Sequence, residues 1–179
     1  MASDFPICGT ARLAMDRLRA GSIFDRARRL HAQGHLDRAA AEYEEALRNA
    51  ISGSETSPSL IRAYWLRLAQ VRGDGARVAT LQDQLRGDLA LNLEDARRRV
   101  ADAGQDVMFR ARARVKLAVW LGAAGCDAEA EGHLRHAIAE LGALWGPEHM
   151  EVLSFHDELA TNLFFQGRAA EAQPHTETT

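Results

Sequence analysis

The sequence is poor in cysteine, proline, lysine and aromatic residues. Its two cysteines, Cys8 and Cys126, lie far apart with no metal-binding or redox motif around either, a usage typical of a reducing cytoplasm. Lys116 is the only lysine, and all the other basic residues are arginine, which favours a GC-rich bacterial origin. We therefore expect a cytoplasmic, bacterial protein.

Long apolar runs, export signals and catalytic motifs are also missing. No apolar stretch approaches the ~20 residues of a membrane span, and range 1–10 lacks the basic and apolar regions of a signal peptide. The formal net charge of −3 disfavours nucleic acid as a partner. Phosphate-binding glycine loops, nucleophile elbows and zinc signatures do not occur, so we predict no cofactor, metal or catalytic residue. Catalysis by dispersed residues is left open.

Helix-forming residues dominate the sequence, and alternating β-type runs are absent. Glycine-containing breaks separate segments with the length of ordinary helices. These breaks are Gly34-His35, Ser52-Gly53-Ser54, Gly73-Asp74-Gly75, Gly104, Gly125, Gly146-Pro147 and Gly167. Ser57-Pro58 and Gly146-Pro147 predict helix starts. The pattern predicts an all-α array of helical hairpins in one domain.

Three segments align on Gly34, Gly125 and Gly167. Each has an alanine before the glycine (Ala27, Ala118, Ala160), then a leucine (Leu30, Leu121, Leu163), and an alanine after it (Ala39, Ala130, Ala172). The first two continue with a large residue (Tyr43, Leu134) and a further alanine (Ala46, Ala137). A glycine can adopt positive φ and let the next helix fold back, while alanines let two helices approach closely.

These residues resemble the tetratricopeptide repeat family, and the last two segments resemble its longer bacterial or kinesin-light-chain-like variety. The resemblance implies a right-handed stack of about three to four α-hairpins, with a degenerate middle repeat and a truncated last one. The expected parts are an N-terminal extension (1–21), four repeats (22–51, 57–103, 107–143, 147–173) and a tail (174–179).

Two departures from the family pattern affect these expectations. Arg26 occupies a position where the family usually has leucine, and the last repeat ends before a full second helix. Half a repeat exposes an apolar edge. We therefore expect a homodimer, or a larger homo-oligomer, to form through the C-terminal edge.

The resemblance implies that partners dock on a concave face formed by the first helix of each repeat. The residues predicted to bind a partner are Phe24, Arg28, His31, Arg112, Lys116, Asp157, Thr161, Phe164 and Phe165. The family's lysine–asparagine carboxylate clamp is replaced by Phe24 and Arg28 in the first repeat, and it is missing from the later repeats as well. Binding of a chaperone's acidic C-terminus is thus disfavoured.

Other clusters have two interpretations each. The densest cationic stretch (Arg97, Arg98, Arg99, Arg110, Arg112, Arg114 and Lys116) forms either a docking strip for an acidic peptide or phosphate, or a solvated face paired with Glu94, Asp95 and Asp102, and the second interpretation is favoured. Glu129, His133 and His136 share one helix face, where a solvent-exposed surface is favoured over a metal site. His149 and His156 lie seven residues apart, and a proton relay or a metal site there would need a cleft, so this interpretation is disfavoured as well. Trp65, Trp120 and Trp145 are expected to pack between helices, whereas Tyr64 or Trp65 can face the groove.

The sequence thus predicts a protein–protein interaction scaffold, adaptor or regulator that binds a protein or peptide in a helical groove. One alternative is a small-molecule-binding or enzymatic accessory protein with Trp65, Trp120 or His156 in the groove. A structural dimerisation module is a third.

Overall fold

The computed structural model describes residues 9–50, 56–168 and 170–172, with side chains from residue 19 onward. These residues form eight helices and no strand, which confirms the predicted all-α class. The helices are α1 (Gly9–Ala32), α2 (Leu36–Asn49), α3 (Pro58–Val71), α4 (Gly75–Leu85), α5 (Asp88–Asp102), α6 (Val107–Ala123), α7 (Asp127–Trp145) and α8 (Met150–Phe165). The predicted tail 174–179, Cys8 and the break at Ser52-Gly53-Ser54 lie outside the described residues.

The aligned glycines end three of these helices as the sequence predicts. Gly34, Gly125 and Gly167 have φ values of 76°, 80° and 76°, a left-handed conformation that L-residues with a side chain adopt only with strain. The N–H groups after Gly34 and Gly125 return to carbonyls near the ends of α1 and α6. Each helix therefore ends in a tight turn, and α2 and α7 begin within a few residues of the turns at Gly34 and Gly125.

The alanines of the repeated pattern lie in the interior of the fold. All eight are buried: Ala27, Ala39, Ala46, Ala118, Ala130, Ala137, Ala160 and Ala172. The aligned leucines and the larger residues, Tyr43 and Leu134, are buried as well. The periodic residues thus form the contacts between consecutive helices, as predicted.

Two predicted helix boundaries are wrong. The predicted middle repeat, 57–103, has its turn at Gly73-Asp74-Gly75 and so leaves the stretch from Ala76 to Ala103 for one second helix, but this stretch is interrupted at Arg86 and Gly87 and forms both α4 and α5. The helix expected to start at Gly146-Pro147 begins only at Met150, because Gly146 adopts positive φ and His149 is the N-cap. In contrast, α3 starts at Pro58 with Ser57 as its cap, as predicted.

Four helices form a closed ring, which we call the inner ring: α1 contacts α3, α3 contacts α6, α6 contacts α8, and α8 contacts α1. The other helices pack outside it, α2 against α1 and α3, α4 against α3, α5 against α6, and α7 against α6 and α8. The main apolar core extends from α1 to α8 around this ring. Side chains that point into the ring consequently meet one another and have limited access to solvent.

Candidate functional site

The interior of the inner ring opens to solvent through a cavity of about 310 Å³, which we call the mouth cavity. All four helices of the ring contribute to it. Its apolar lining comes from Phe24, Leu60, Tyr64, Val115, Val119 and Phe155. Its charged lining comes from Arg28, Arg112, Lys116, Glu151 and Glu158. The mouth cavity therefore combines an apolar surface with a nearly balanced set of charges.

Internal ion pairs occupy most of these charges. Arg112 binds Glu151 through two guanidinium nitrogens, with Nη2 donating to Oε2 at 2.9 Å. Arg28 pairs with the buried carboxylate of Glu158. Lys116 is exposed and forms no ion pair within the described ranges 19–50, 56–168 and 170–172. One positive charge at the mouth cavity is therefore left without a partner in this part of the chain.

The Arg28–Glu158 pair forms a polar partition inside the ring. The Tyr64 hydroxyl donates to Oε1 of Glu158 at 2.7 Å. Phe24 and Tyr64 meet edge to face at 5.1 Å, and the Arg28 guanidinium lies 5.6 Å from the Tyr64 ring centre. Burial raises the pKa of Tyr64 although the Arg28 charge opposes this, so the phenol remains a hydrogen-bond donor.

A second cavity, of about 260 Å³, lies between α1 and α8 on the other side of this partition, and we call it the charged cleft. It shares Arg28, Ser154 and Glu158 with the mouth cavity. Its remaining lining is Asp25, Arg29, Asp157 and Thr161. Burial raises the pKa of Asp157, against the opposing charges of Arg28 and Arg29.

Deeper in the ring, Arg67 joins α3 to α6, α7 and α8. Its Nη1 donates to the Gly122 carbonyl at 2.5 Å, and its guanidinium pairs with Asp127 and lies 4.0 Å from the Phe165 ring centre. A small cavity of about 30 Å³ beside it has room for little more than one water molecule. The interior below the mouth cavity is thus filled by the protein's own side chains.

His31 is almost fully buried near this point. Its Nδ1 lies 3.1 Å from the Tyr43 hydroxyl, and its ring meets Phe165 edge to face at 5.0 Å. Burial, with a smaller contribution from the charge of Arg67, lowers the pKa of His31 to about 3. The imidazole is therefore neutral at physiological pH.

A further cavity of about 200 Å³, here called the side cavity, lies between α5 and α6. It is lined by the indole of Trp120, by polar residues including Asn92 and Asp95, and by Lys116. Trp120 and Trp65 are otherwise buried in helix packing, and Arg77 lies over the Trp65 ring at 4.6 Å. This agrees with the expected packing role of these two tryptophans.

The nine residues predicted to bind a partner fall into three places. Phe24, Arg28, Arg112 and Lys116 line the mouth cavity, while Asp157 and Thr161 join Arg28 in the charged cleft. The remaining three form one aromatic cluster, in which His31 contacts Phe165, and Phe164 contacts Phe165 with ring centres 6.5 Å apart. Only Arg112 and Lys116 of the nine are exposed.

Three residues with a central place in this geometry, Glu158, Glu151 and Arg67, did not emerge from the sequence. Arg67 lies between Leu66 and Leu68 in a buried stretch of α3, and Glu158 is the first residue of the continuous buried stretch of α8. A charge within a buried stretch requires a partner, and this is the signal that could have found both. Glu151 gives no comparable signal, because it lies in the first turn of α8, where acidic residues are common.

The cationic stretch is largely an internally paired surface, as favoured from the sequence, but of its three expected acidic partners only Asp95 forms an ion pair with it among the described residues. Asp95 accepts from Arg98 at 2.5 Å and from Arg99 at 2.7 Å, and these bonds lower its pKa. Arg110 and Arg114 share the carboxylate of Glu140. Few of these cations are available to a ligand without the loss of an existing pair.

The histidine clusters proposed as alternatives do not converge on a metal geometry. Within the described part of the chain, no group of three or more His, Cys, Asp and Glu side chains is placed to hold an ion. His136 Nδ1 lies 2.7 Å from the Gly132 carbonyl of its own helix, and His149 caps α8 by accepting from the Glu151 N–H.

The exposed apolar residues near the chain's last helices lie at the junction of α7 and α8. Leu144, Trp145 and Met150 are exposed there, whereas Phe165 and Ala172 pack inward. Self-association through the C-terminal edge stays a prediction. No helix among the described residues is both long and apolar enough to cross a bilayer.

Comparisons of the chain with protein-family models, with curated proteins and with solved structures find no match.

Proposed function

We propose that the protein is an interaction module that binds a short peptide segment of a partner protein at the mouth cavity. The observation that carries the proposal is the convergence of Phe24, Arg28, Arg112 and Lys116, all predicted from sequence, on one solvent-open cavity with an apolar lining. Concave apolar cavities with a few placed polar groups are the usual ligand sites of proteins.

The repeat pattern supports the same proposal. Aligned glycines, buried alanines and packing between consecutive helices are what a stack of tetratricopeptide-like hairpins requires. In such a stack the inner helices bind partners. Here, the contact between α8 and α1 closes the inner surface into a ring. The accessible part is then the mouth cavity, and we expect the partner to be recognised there by a few residues only.

The dimensions of the mouth cavity favour a side chain over a whole helix. Its volume of about 310 Å³ lies at the lower end of the range of ligand pockets, about 300–1,000 Å³. An anchoring side chain fits this space, while the rest of the segment lies across the surface. Such anchors usually dominate the energy of an interface.

The test is selection of a phage-displayed library of random 12-residue peptides on the intact protein. Ser154 lines both the mouth cavity and the charged cleft, and its hydroxyl donates to the Glu151 carbonyl within α8. Ser154→Phe should occupy the cavity and weaken binding of the selected peptides at least tenfold. The matched control is Thr80→Phe on α4. Thr80 is exposed, and its hydroxyl likewise donates a hydrogen bond to a carbonyl of its own helix, that of Ala76.

Both variants should retain the wild-type circular dichroism spectrum and unfolding midpoint to within a few degrees. Failure to enrich any peptide, or equal binding by wild type and Ser154→Phe, would overturn the proposal. If native mass spectrometry instead reveals a small molecule bound to the wild-type protein and displaced by Ser154→Phe, the mouth cavity is a small-molecule site.

A further inference from the structure

Lys116 lies between two cavities and lines both of them. The mouth cavity is on one side of this residue and the side cavity on the other. Along α6, Arg112 faces the mouth cavity, Trp120 faces the side cavity, and Lys116 is one helical turn from each. Because Lys116 is exposed at this position, its ammonium group can reach a ligand that extends out of the mouth cavity and over α6.

The charge balance of the two cavities distinguishes Lys116 from the neighbouring cations. Arg112 is held by Glu151, Arg28 by Glu158, and Arg99 by Asp95. Lys116 has no such pair within the described part of the chain, although acidic residues line both cavities. A ligand anion near Lys116 thus gains an ion pair without breaking an internal one.

On these grounds we propose that Lys116 determines the specificity of the peptide site by binding an acidic side chain of the segment. A neighbouring apolar residue of the segment fills the mouth cavity. The inference rests on the proposed function and names the chemistry of the peptide: an apolar anchor next to an aspartate or glutamate. The family's carboxylate clamp has no part in it, because Val115 and Val119 occupy those positions on α6.

The apolar anchor of the peptide segment is inferred from the aromatic rings that lie around the charged side chains of the mouth cavity. Phe24, Tyr64 and Phe155 present ring surface to the mouth cavity, and their exposed fractions are 4%, 7% and 5%. A polar ligand gains little binding free energy from contact with such rings. An apolar ligand gains more, because the contact removes apolar surface from water. The carboxylate of the segment stays at the edge, where Lys116 remains solvated.

The experiment uses the peptides selected above, synthesised as 12-residue probes, in titrations with the intact protein. Lys116→Glu should weaken binding roughly tenfold, since it replaces one attraction by one repulsion at a partly exposed site. Replacing the acidic residue of the peptide by its amide should cause a smaller loss on the wild-type protein, because it removes the attraction without adding a repulsion, and it should raise the affinity for Lys116→Glu. A peptide with lysine at that position should recover affinity for Lys116→Glu.

Arg38→Glu on α2 is the matched control, because Arg38 is exposed, lies on an outer helix and lines none of the three cavities described above. Its binding should equal that of the wild type at the same ionic strength. If Ser154→Phe blocks the peptides while Lys116→Glu binds them as well as the wild type, the peptide site stands and the role of Lys116 is wrong. If the selected peptides contain no acidic residue, the peptide site likewise stands and the role of Lys116 is wrong. If no peptide is enriched at all, both proposals fail.

Discussion

Arg28 on α1 and Glu158 on α8 form an ion pair across 130 positions of the chain. The contact joins the first helix of the inner ring to the last, and the Tyr64 hydroxyl completes it from α3. The Glu158 side chain is 6% exposed and that of Arg28 24% exposed, so water screens this pair much less than a surface pair. The Glu158 carboxylate therefore contributes both to closure of the ring and to the polar partition beneath the mouth cavity.

Removal of this carboxylate should destabilise the fold. Glu158→Ala leaves the Arg28 guanidinium and the Tyr64 hydroxyl without their acceptor, and we expect a loss of about 2 to 3 kcal/mol in the free energy of unfolding. The measurement is urea denaturation followed by the fluorescence of the buried Trp65 and Trp120.

The control for this substitution is Glu44→Ala on α2. Glu44 pairs with Arg48, but both side chains are more than half exposed, so the same change should leave the urea midpoint nearly unaltered. The double variant Arg28→Met/Glu158→Met should recover most of the stability, since replacement of both partners leaves no buried charge unpaired. Equal losses for Glu158→Ala and Glu44→Ala would contradict the importance of the pair for ring closure.

His31 should make the stability of the protein dependent on pH. Its pKa is about 3 in the folded chain, while an imidazole in the unfolded chain titrates near the ordinary value of 6.5. The unfolded state thus binds the proton more strongly. The stabilisation is fully present above about pH 6.5 and is lost as the pH falls from there towards 3, by up to about 1.4 kcal/mol per pH unit.

His31→Gln should flatten this dependence while lowering stability at pH 7.5, because glutamine does not titrate but fits the site less well. Urea denaturation at intervals between pH 7.5 and 5 gives both quantities. His133, whose pKa is lowered mainly by burial, contributes a slope of the same sign that persists in the variant. The surface control is His35→Gln. Parallel stability curves for wild type and His31→Gln would show that the pKa of His31 is not depressed.

Local signals in the sequence predicted the helices and their nearest contacts well. The aligned glycines, alanines and leucines follow from the geometry of a tight turn and of two helices in close contact, which are properties of neighbouring residues. The interruption at Gly87 was missed, because an isolated glycine within a helix-forming stretch indicates a break only weakly. The late start of α8 was missed because proline can precede a helix as well as begin it.

Ring closure could not be predicted from local signals. An open concave face was expected, but the contact between α8 and α1 depends on the summed rotation between successive helices, which no short pattern encodes. Closure explains why Phe24, His31 and Thr161, expected to face a partner, are buried within the chain. Arg112 and Lys116 were also expected to be accessible, and they are exposed because they lie near the edge of the ring.

Gly125, in the turn after α6, and Gly132, within α7, should respond to alanine in opposite ways. Gly125 has a φ of 80°, so Gly125→Ala places a Cβ in a disfavoured conformation and should cost about 1 kcal/mol. Gly132 lies within α7, and a Cβ there meets no atom within 4 Å, so Gly132→Ala should gain about 0.5 to 1 kcal/mol. Thermal unfolding of the two variants provides the test. A shift of both in the same direction would contradict the assigned backbone at one of the two positions.

Arg67 and Phe165 should be energetically coupled inside the ring. The guanidinium lies 4.0 Å from the Phe165 ring centre, and the Arg67 side chain is only 8% exposed, so the attraction to the ring acts with little screening. A double-mutant cycle with Arg67→Met and Phe165→Leu should give a coupling energy of about 1 to 2 kcal/mol by urea denaturation. The ion pair with Asp127 is lost in every variant that lacks Arg67 and cancels in the cycle. A coupling near zero would mean that Phe165 only fills space.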